Sequence, residues 1–403
     1  MEQPYVIVGA SLAGAKAAEA LRAEGHSGPV ELIGEETELP YERPPLSKGY
    51  LQGKTPRAEF DVHPAAWYAE HDVTLRLGTA VTAIDPQART VELADGTRTG
   101  FAKLLLTTGA SPRRLPVPGG DGPSVLTLRR VGDSERIRST LRPGARIVIV
   151  GAGWIGLETA AAARLAGAEV TVLEMAELPL LRVLGREVAR VFADLHRQKG
   201  VDLRFGVQVA AVEDGGVRLG DGTLVPADAV VVGVGISPNT ALAEAAGLTV
   251  DNGVRTDEHL RTSHPDVFAA GDVANAFHPL FGRPIRVEHW ANALNQPATA
   301  ARSMLGRDAV YDRVPYFFTD QYDLGMEYTG YVEPDGYDRV VFRGDVEGRE
   351  FIAFWLSGGR VLAGMNVNVW DVTDPIRDLV RSGRQVDTDR LADPDVPLAE
   401  LTG

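Results

Sequence analysis

One local pattern occurs twice in this chain: a strand that ends at a glycine, a Gly-rich turn, a helix and a second strand. The first copy runs from Tyr5-Val6-Ile7-Val8 through Gly9, a helical stretch from about Ala13 to Arg22, and a strand from Val30 to Ile33. The second runs from Ile147-Val148-Ile149-Val150 through Gly151, a helix to about Ala166, and a strand from Val170 to Leu173. Each copy is the opening of a βαβ unit. The 403 residues have room for two or three domains at about 150 residues each, so the copies stand about a domain apart.

The second turn, Gly151-Ala152-Gly153-Trp154-Ile155-Gly156, is a complete G-x-G-x-x-G. Its first glycine makes the tight turn, its second lets backbone approach a pyrophosphate, and its third lets the helix pack on the strand. Free N–H groups and the dipole at the helix N-terminus then hold negative charge. Glu174 closes the next strand about 20 residues on, where an acid binds ribose hydroxyls. No Arg or Lys lies between Met175 and Leu181 to meet a 2′-phosphate, which predicts NADH over NADPH. The first turn, Gly9-Ala10-Ser11-Leu12-Ala13-Gly14, carries serine where the middle glycine is usual. Its ribose-binding acid is Glu35, just after Ile33-Gly34. Two such folds suggest two nucleotides, a bound flavin dinucleotide and a diffusible nicotinamide.

The chain has no cysteine. That excludes a disulfide scaffold, a thiolate zinc site, a cysteine nucleophile and a cluster held by the chain's own sulfur. Redox chemistry must run on a borrowed cofactor, and no metal site is expected. A formal charge of −14 argues against nucleic acid or an anionic membrane as the main partner. No stretch approaches the roughly 20 apolar residues of a membrane span. The N-terminus, MEQPYVIVGA, runs into a strand without a basic leader, and the expected location is cytoplasmic. Short strands at Thr90–Leu93 and Val217–Leu219 are each tied to an Asp-Gly turn, at Asp95-Gly96 and Asp221-Gly222. From about Pro315 aromatic, alternating segments such as 340–343 and 351–355 mark a separate α+β domain. The fold class is α/β: two Rossmann-like dinucleotide-binding domains followed by a C-terminal α+β domain.

Further segments carry a family resemblance. Thr107-Thr108-Gly109-Ala110-Ser111-Pro112-Arg113 follows the strand Leu104 to Leu106, and Gly233-Val234-Gly235-Ile236-Ser237-Pro238-Asn239 follows Ala229 to Val232. Phe268-Ala269-Ala270-Gly271-Asp272 follows Thr262 to Asp266. With Pro44-Pro45-Leu46-Ser47-Lys48, the chain resembles the two-dinucleotide-domain flavoproteins of the glutathione reductase fold. Within them it resembles the NADH-dependent, FAD-containing ferredoxin reductases of bacterial cytochrome P450 and Rieske oxygenase systems. The likeness runs into Asp320-Gln321-Tyr322.

The resemblance implies a discontinuous FAD-binding domain over 1–112 and 238–314, an NAD-binding domain over 113–237 and a C-terminal domain over 315–403. It puts Gly9, Ser11, Leu12, Ala13, Gly14 and Glu35 on the FAD adenosine diphosphate, with Val81 on the adenine side. Arg43, Pro45, Thr108, Gly109 and Gly271 would line the cofactor, with Arg129 touching it from the interdomain segment. Asp272, at the start of a helix, would bond the ribityl chain, while Glu288, His289 and Trp290 would line the flavin ring. NAD would lie on Gly151, Gly153, Trp154, Ile155, Gly156, Glu174, Gly233 and Gly235. Lys48 would sit near the reactive edge of the flavin and face Glu158 across the nicotinamide pocket, the two acting electrostatically rather than as proton shuttles. Phe318 stands where relatives often carry tryptophan.

The implied chemistry is hydride uptake from NADH by FAD and release of single electrons to a [2Fe–2S] ferredoxin that feeds a P450 or Rieske oxygenase. Without cysteine, the dithiol reductases of this fold are excluded. Alternatives are a rubredoxin reductase, a diaphorase for small acceptors (quinones or monodehydroascorbate), and, in another class, a flavin-binding signalling protein like the apoptosis-inducing flavoproteins. Arg57, Arg302 and Arg307 are expected to form a basic patch for an acidic ferredoxin.

Overall fold

The computed structural model describes residues 3–401 of the chain; the two residues at each end, included in the expected domain ranges and in the N-terminal reading, lie outside them. The chain divides into two units. One consists of Met1–Glu42, Arg57–Ser111 and Ser237–Pro315, the other of Arg43–Pro56, Pro112–Ile236 and Tyr316–Gly403.

The first unit is built on a five-stranded parallel sheet. Its order is Val267–Ala269, Lys103–Leu106, Tyr5–Val8, Val30–Ile33, Val73–Arg76. The strands Tyr5–Val8 and Lys103–Leu106 are buried almost throughout, as a parallel sheet covered on both faces requires. Helix Leu12–Ala23 buries Ala15, Ala17, Ala18 and Leu21 against the sheet, in one core with Leu32, Leu105 and Phe268. Strand order reverses beside Tyr5–Val8, because its neighbours Val30–Ile33 and Lys103–Leu106 lie on opposite sides. That reversal opens a crevice at the carboxyl ends of the strands, where ligands bind in such sheets.

The second unit repeats the plan. Its parallel sheet runs Asp202–Phe205, Glu169–Glu174, Arg146–Val150, Ala229–Val232, Val125–Leu126. Helix Trp154–Leu165 follows the central strand, and the switch point again lies beside a glycine turn. Residues 43–56, expected with the first domain, belong to this unit instead. The reason is local. The Ser134 hydroxyl donates to the Leu46 carbonyl at 2.8 Å, the Tyr50 hydroxyl donates to Glu135 at 2.6 Å, and Leu51 is buried in this unit's core.

The C-terminal segment forms a five-stranded antiparallel sheet in the same unit, ordered Tyr316–Gln321, Leu324–Gly330, Arg360–Val367, Glu350–Ser357, Arg339–Asp345. The strand Glu350–Ser357 was expected to alternate, yet Phe351 to Leu356 are buried without a break. Both faces are covered. Phe351, Ala353 and Trp355 share a core with Leu184, Val188 and Phe192, while across the sheet Phe354 lies with Ile376 beside Gly364. Helix Leu181–Gln198 is broken at Gly185, whose φ of +75° and whose missing Cβ make room for the Tyr337 hydroxyl. At the break the buried Trp355 indole donates to the Leu184 carbonyl at 3.1 Å.

That bond yields a stability prediction. Trp355→Phe orphans a buried carbonyl and leaves a smaller ring in a close-packed site, and should cost roughly 2–4 kcal/mol. Urea unfolding measures it; an unchanged midpoint would show that the indole bond contributes nothing.

Candidate active site

Both glycine turns start at the carboxyl end of a switch-point strand, and their stereochemistry is nearly the same. Gly9 has φ +119°, and a Cβ there would stand 2.2 Å from the Thr107 carbonyl oxygen. Gly151 has φ +102°, and a Cβ would stand 2.4 Å from the Gly233 carbonyl oxygen. The third glycines are required by close approach alone: Cβ atoms at Gly14 and Gly156 would meet the carbonyl oxygens of Gly9 and Gly151 at 2.1 Å. The middle position is different. Gly153 has φ −79° and ψ −176°, and Ser11 has φ −128° and ψ −164°. Both are extended backbone that any residue adopts, so serine at the middle position carries no strain.

These turns fit dinucleotides. Over Gly153 no atom lies within 4 Å of a Cβ position, which leaves the helix N-terminus open to a pyrophosphate. Ser11 makes no side-chain cap to its own helix. Glu174 sits beside the second turn, its carboxylate accepting from the backbone N–H groups of Ala152 at 2.8 Å and Ala176 at 2.9 Å. Glu35 lies exposed just after the strand Val30–Ile33, and Val81 opens the strand Val81–Asp85.

In the second unit Pro44-Pro45 starts a single 3-10 turn, Pro44–Ser47, that delivers Ser47 and Lys48 to Glu158. Glu158 lies one turn into helix Trp154–Leu165 and is only 4% exposed. Lys48 Nζ donates to Glu158 Oε1 at 2.8 Å. The Ser47 hydroxyl donates to Oε2, and the Thr319 hydroxyl, from strand Tyr316–Gln321, donates to Oε1. The expected Lys48–Glu158 approach is therefore present, whereas Ser47 and Thr319 escaped the sequence reading because hydroxyls at such distances carry no motif. Lys48 Nζ also lies 5.3 Å from the centroid of the Phe318 ring, within cation–π range. Asp320 is held above the usual carboxylate range by burial, with Lys48 opposing and the Glu158 charge adding to the rise.

Other expected residues fall into place by unit. In the second unit Arg43 donates to the Arg129 carbonyl, and Trp154 packs edge-on against Phe317 at 5.0 Å and Phe192 at 5.5 Å. Ile155 is 42% exposed beside it. Gly233 follows Ala229–Val232, and Gly235 adopts φ +103°. In the first unit Asn239 clasps Thr108 with a bond in each direction, at 2.7 and 3.0 Å, and its N–H donates to the Gly109 carbonyl at 2.9 Å. Gly271 has φ +80°, packs against Ala13, and donates its N–H to Gln296 at 2.8 Å. Asp272 was expected to begin a helix; it lies inside the three-residue 3-10 turn Gly271–Val273 instead. The strand Ala274–His278 follows immediately and leaves no room for a longer helix.

Glu288 pairs with Arg286, whose guanidinium is nearly buried and also reaches the Asp272 carbonyl at 3.4 Å. Arg286 and Gln296 are further residues the sequence did not flag. His289 is the N-cap of helix Trp290–Met304. Burial pushes its imidazole down to about 4, against the pull of the nearby Asp272 charge.

The three arginines expected to form a basic patch all have acidic partners. Arg302 and Arg307 both bind Glu24, and Arg57 is held by Asp61 and Glu38. Arg302 and Arg307 share one carboxylate and Arg57 has two, so each of the three arginines is engaged in an ion pair. Among the described residues no cluster of three or more His, Asp or Glu is placed to hold a metal ion, and no helix is long and apolar enough to cross a membrane.

Paired dinucleotide turns on two parallel sheets, with a lysine paired to a buried carboxylate, define an oxidoreductase-type chain built from two nucleotide-binding folds. Residues 3–297 match the family model described as pyridine nucleotide-disulphide oxidoreductase, and residues 316–402 match the reductase C-terminal model. The chain is 42% identical over 400 residues, 98% of each chain, to the ferredoxin–NAD(+) reductase component of the anthranilate 1,2-dioxygenase system of Burkholderia cepacia. It is 39% identical over 406 residues to putidaredoxin reductase of Pseudomonas putida, covering 98% of this chain and 96% of that one. Its fold superposes with a TM-score of 0.95 on the crystal structure of the covalent putidaredoxin reductase–putidaredoxin complex, at 39% identity over 99% of this chain and 98% of that one. The chain belongs to the pyridine nucleotide-disulphide oxidoreductase family, although it has no cysteine with which to form the disulphide of that name.

The half-buried His289 gives a pH prediction. Its folded pKa of about 4 lies below the unfolded value of about 6.5. Between these values the unfolded chain binds a proton that the native state does not. The His289 contribution to stability is therefore full above about pH 6.5 and is lost at about 1.4 kcal/mol for each pH unit down towards 4, beside a parallel loss from His196, whose imidazole burial lowers likewise. Urea midpoints at pH 7.5 and 5 should differ accordingly, and less so in His289→Asn. An equal difference in the variant would place the proton elsewhere.

Proposed function

We propose that this chain is an NADH-dependent, FAD-containing reductase that supplies single electrons to a [2Fe–2S] ferredoxin of a cytochrome P450 or Rieske-type oxygenase system. The observation that carries the reading is the end-to-end likeness, in sequence and in fold, to reductases named for that task. It works in the cytoplasm, where NADH is generated.

Bound FAD supplies the conversion of a two-electron hydride into single-electron steps. The first unit holds it. Backbone at Gly9, Ser11, Leu12, Ala13 and Gly14 would hold the pyrophosphate, Glu35 and Val81 the adenosine, Thr108, Gly109, Gly271 and Asp272 the middle of the cofactor, and Glu288, His289 and Trp290 the ring. Arg286 keeps Glu288 in place and neutralises it. The second unit holds the nicotinamide dinucleotide on Gly151, Gly153, Trp154, Ile155 and Gly156, with Gly233 and Gly235 on the neighbouring loop. Glu174 accepts the adenosine ribose hydroxyls and repels a 2′-phosphate.

Hydride transfer needs no proton donor, so Lys48 and Glu158 act by charge and position. Glu158 is held by three donors and keeps Lys48 Nζ fixed. A fixed ammonium stabilises negative charge that develops beside it without reorganising.

NADH-driven cytochrome c reduction, with and without a [2Fe–2S] ferredoxin from the same genome, tests the reading. The rate should rise at least about tenfold with ferredoxin, and kcat/KM should favour NADH over NADPH by at least about tenfold, since like charge at Glu174 opposes the extra phosphate. Rates indifferent to every ferredoxin, yet high with quinones, would make this a small-acceptor diaphorase.

A further inference from the structure

We propose that His196 and Gln321 are positioning residues that fix the Glu158 carboxylate, and through it Lys48, by a buried one-way array of hydrogen bonds. The inference rests on the reading of Lys48 and Glu158 given above and extends it to residues that touch neither side chain.

The array has four links. The Tyr322 hydroxyl stands 3.4 Å from His196 Nδ1, and His196 Nε2 stands 2.8 Å from Gln321 Oε1. Gln321 Nε2 donates to the Thr319 hydroxyl at 3.3 Å, and Thr319 donates to Glu158 Oε1. His196, Gln321 and Thr319 are each at most 1% exposed. Water is therefore no alternative partner, and an unmade bond at any link would be costly.

The direction of every bond follows from one end. Glu158 as a carboxylate only accepts, so the Thr319 hydroxyl must donate to it. Thr319 then accepts from the Gln321 amide nitrogen, which leaves Gln321 Oε1 facing His196. That oxygen can only accept, so His196 carries its proton on Nε2 and presents Nδ1 to the Tyr322 hydroxyl. Burial lowers the His196 imidazole to about 4 and raises the Tyr322 phenol, so both stay neutral. Neutral imidazole offers one donor and one acceptor, as the array needs.

Such a run of aligned dipoles does two things. Each donor polarises the next towards the carboxylate, which strengthens the bonds that hold it in place. It also ties Glu158 to helix Leu181–Gln198, where His196 sits, and to strand Tyr316–Gln321. Glu158 then cannot follow Lys48 if the lysine moves.

The test uses the FAD-loaded, full-length protein. Gln321→Leu keeps the volume and removes both amide links. His196→Leu removes the donor to Gln321, whereas His196→Gln keeps an N–H near the imidazole Nε2. The chain has five lysines, so 15N side-chain NMR can resolve the Lys48 ammonium, whose slow proton exchange reports the pair directly. Slow exchange should be lost in Gln321→Leu and His196→Leu and kept in His196→Gln. Stopped-flow flavin reduction at saturating NADH should slow about tenfold in the two leucine variants, with the Kd for NADH changed less than about twofold. In a Glu158→Gln background, Gln321→Leu should add nothing, because its only route of action is gone.

An unchanged Lys48 resonance in Gln321→Leu would overturn the array. So would an equal slowing by Gln321→Leu in the wild-type and Glu158→Gln backgrounds. If Glu158→Gln itself left hydride transfer unchanged, the catalytic reading of the pair would fall, and the Lys48 resonance would still decide the array. Should His196→Leu not fold, the Gln321→Leu and His196→Gln comparison carries the same decision.

Discussion

The second unit depends on how one buried carboxylate is satisfied. An ionised Glu158 with so little contact with water costs several kcal/mol unless it is paired and fully hydrogen-bonded. Its donors come from segments 110 and 161 residues away along the chain. The Pro44–Ser47 turn brings Ser47 and Lys48, the C-terminal sheet brings Thr319, and helix Trp154–Leu165 brings the acid itself. This accounts for the composition of the unit. Residues 43–56 leave the sheet that flanks them in sequence because their polar and apolar partners, Glu158, Glu135 and the core around Leu51, all lie in the second unit.

The two glycine turns show the same constraint met twice with different residues. In each, the first and third glycines are forced by a carbonyl oxygen that would lie within 2.4 Å of any Cβ. The middle residue is under no such demand from the protein, since its backbone is extended. What a glycine supplies there is room over the helix N-terminus for a ligand. Ser11 gives up some of that room and adds a hydroxyl. The departure from the motif therefore bears on how the turn meets phosphate, and leaves the fold of the turn alone.

The sequence carried the parts of this protein governed by short-range rules. Both βαβ openings, the Asp-Gly hairpins and the acids after the second strands were legible because period, turn chemistry and spacing act over a few residues. Resemblance brought Lys48 and Glu158 together across 110 residues. What stayed hidden were partners chosen by tertiary structure. Arg286 looks like any surface arginine until Glu288 and the Asp272 carbonyl enclose it. Arg57, Arg302 and Arg307 read as a patch because the acids that pair with them, Glu24 above all, lie up to 283 residues away. The run 351–355 reads as an alternating strand, yet a strand covered on both faces has no exposed side to alternate with.

The same distinction bears on how the charged centre evolves and fails. Lys48 and Glu158 are what a motif records, but neither is held by its own element alone. Thr319 reaches the carboxylate from the C-terminal sheet, Gln321 reaches Thr319 on the same strand, and His196 reaches Gln321 from helix Leu181–Gln198. The C-terminal domain is thus part of the charged centre as well as a separate fold. A substitution on its first strand can alter the Lys48–Glu158 pair without replacing either residue. Phe318 lies on that strand between Phe317, which packs on Trp154, and Thr319, which holds Glu158. Its backbone is pinned on both sides. A tryptophan at that position would have to fit its larger ring into the space beside Lys48 without moving either neighbour, because moving them would disturb the carboxylate. The identity of residue 318 is therefore coupled to the packing of the charged centre, whatever part an aromatic ring there takes in electron transfer.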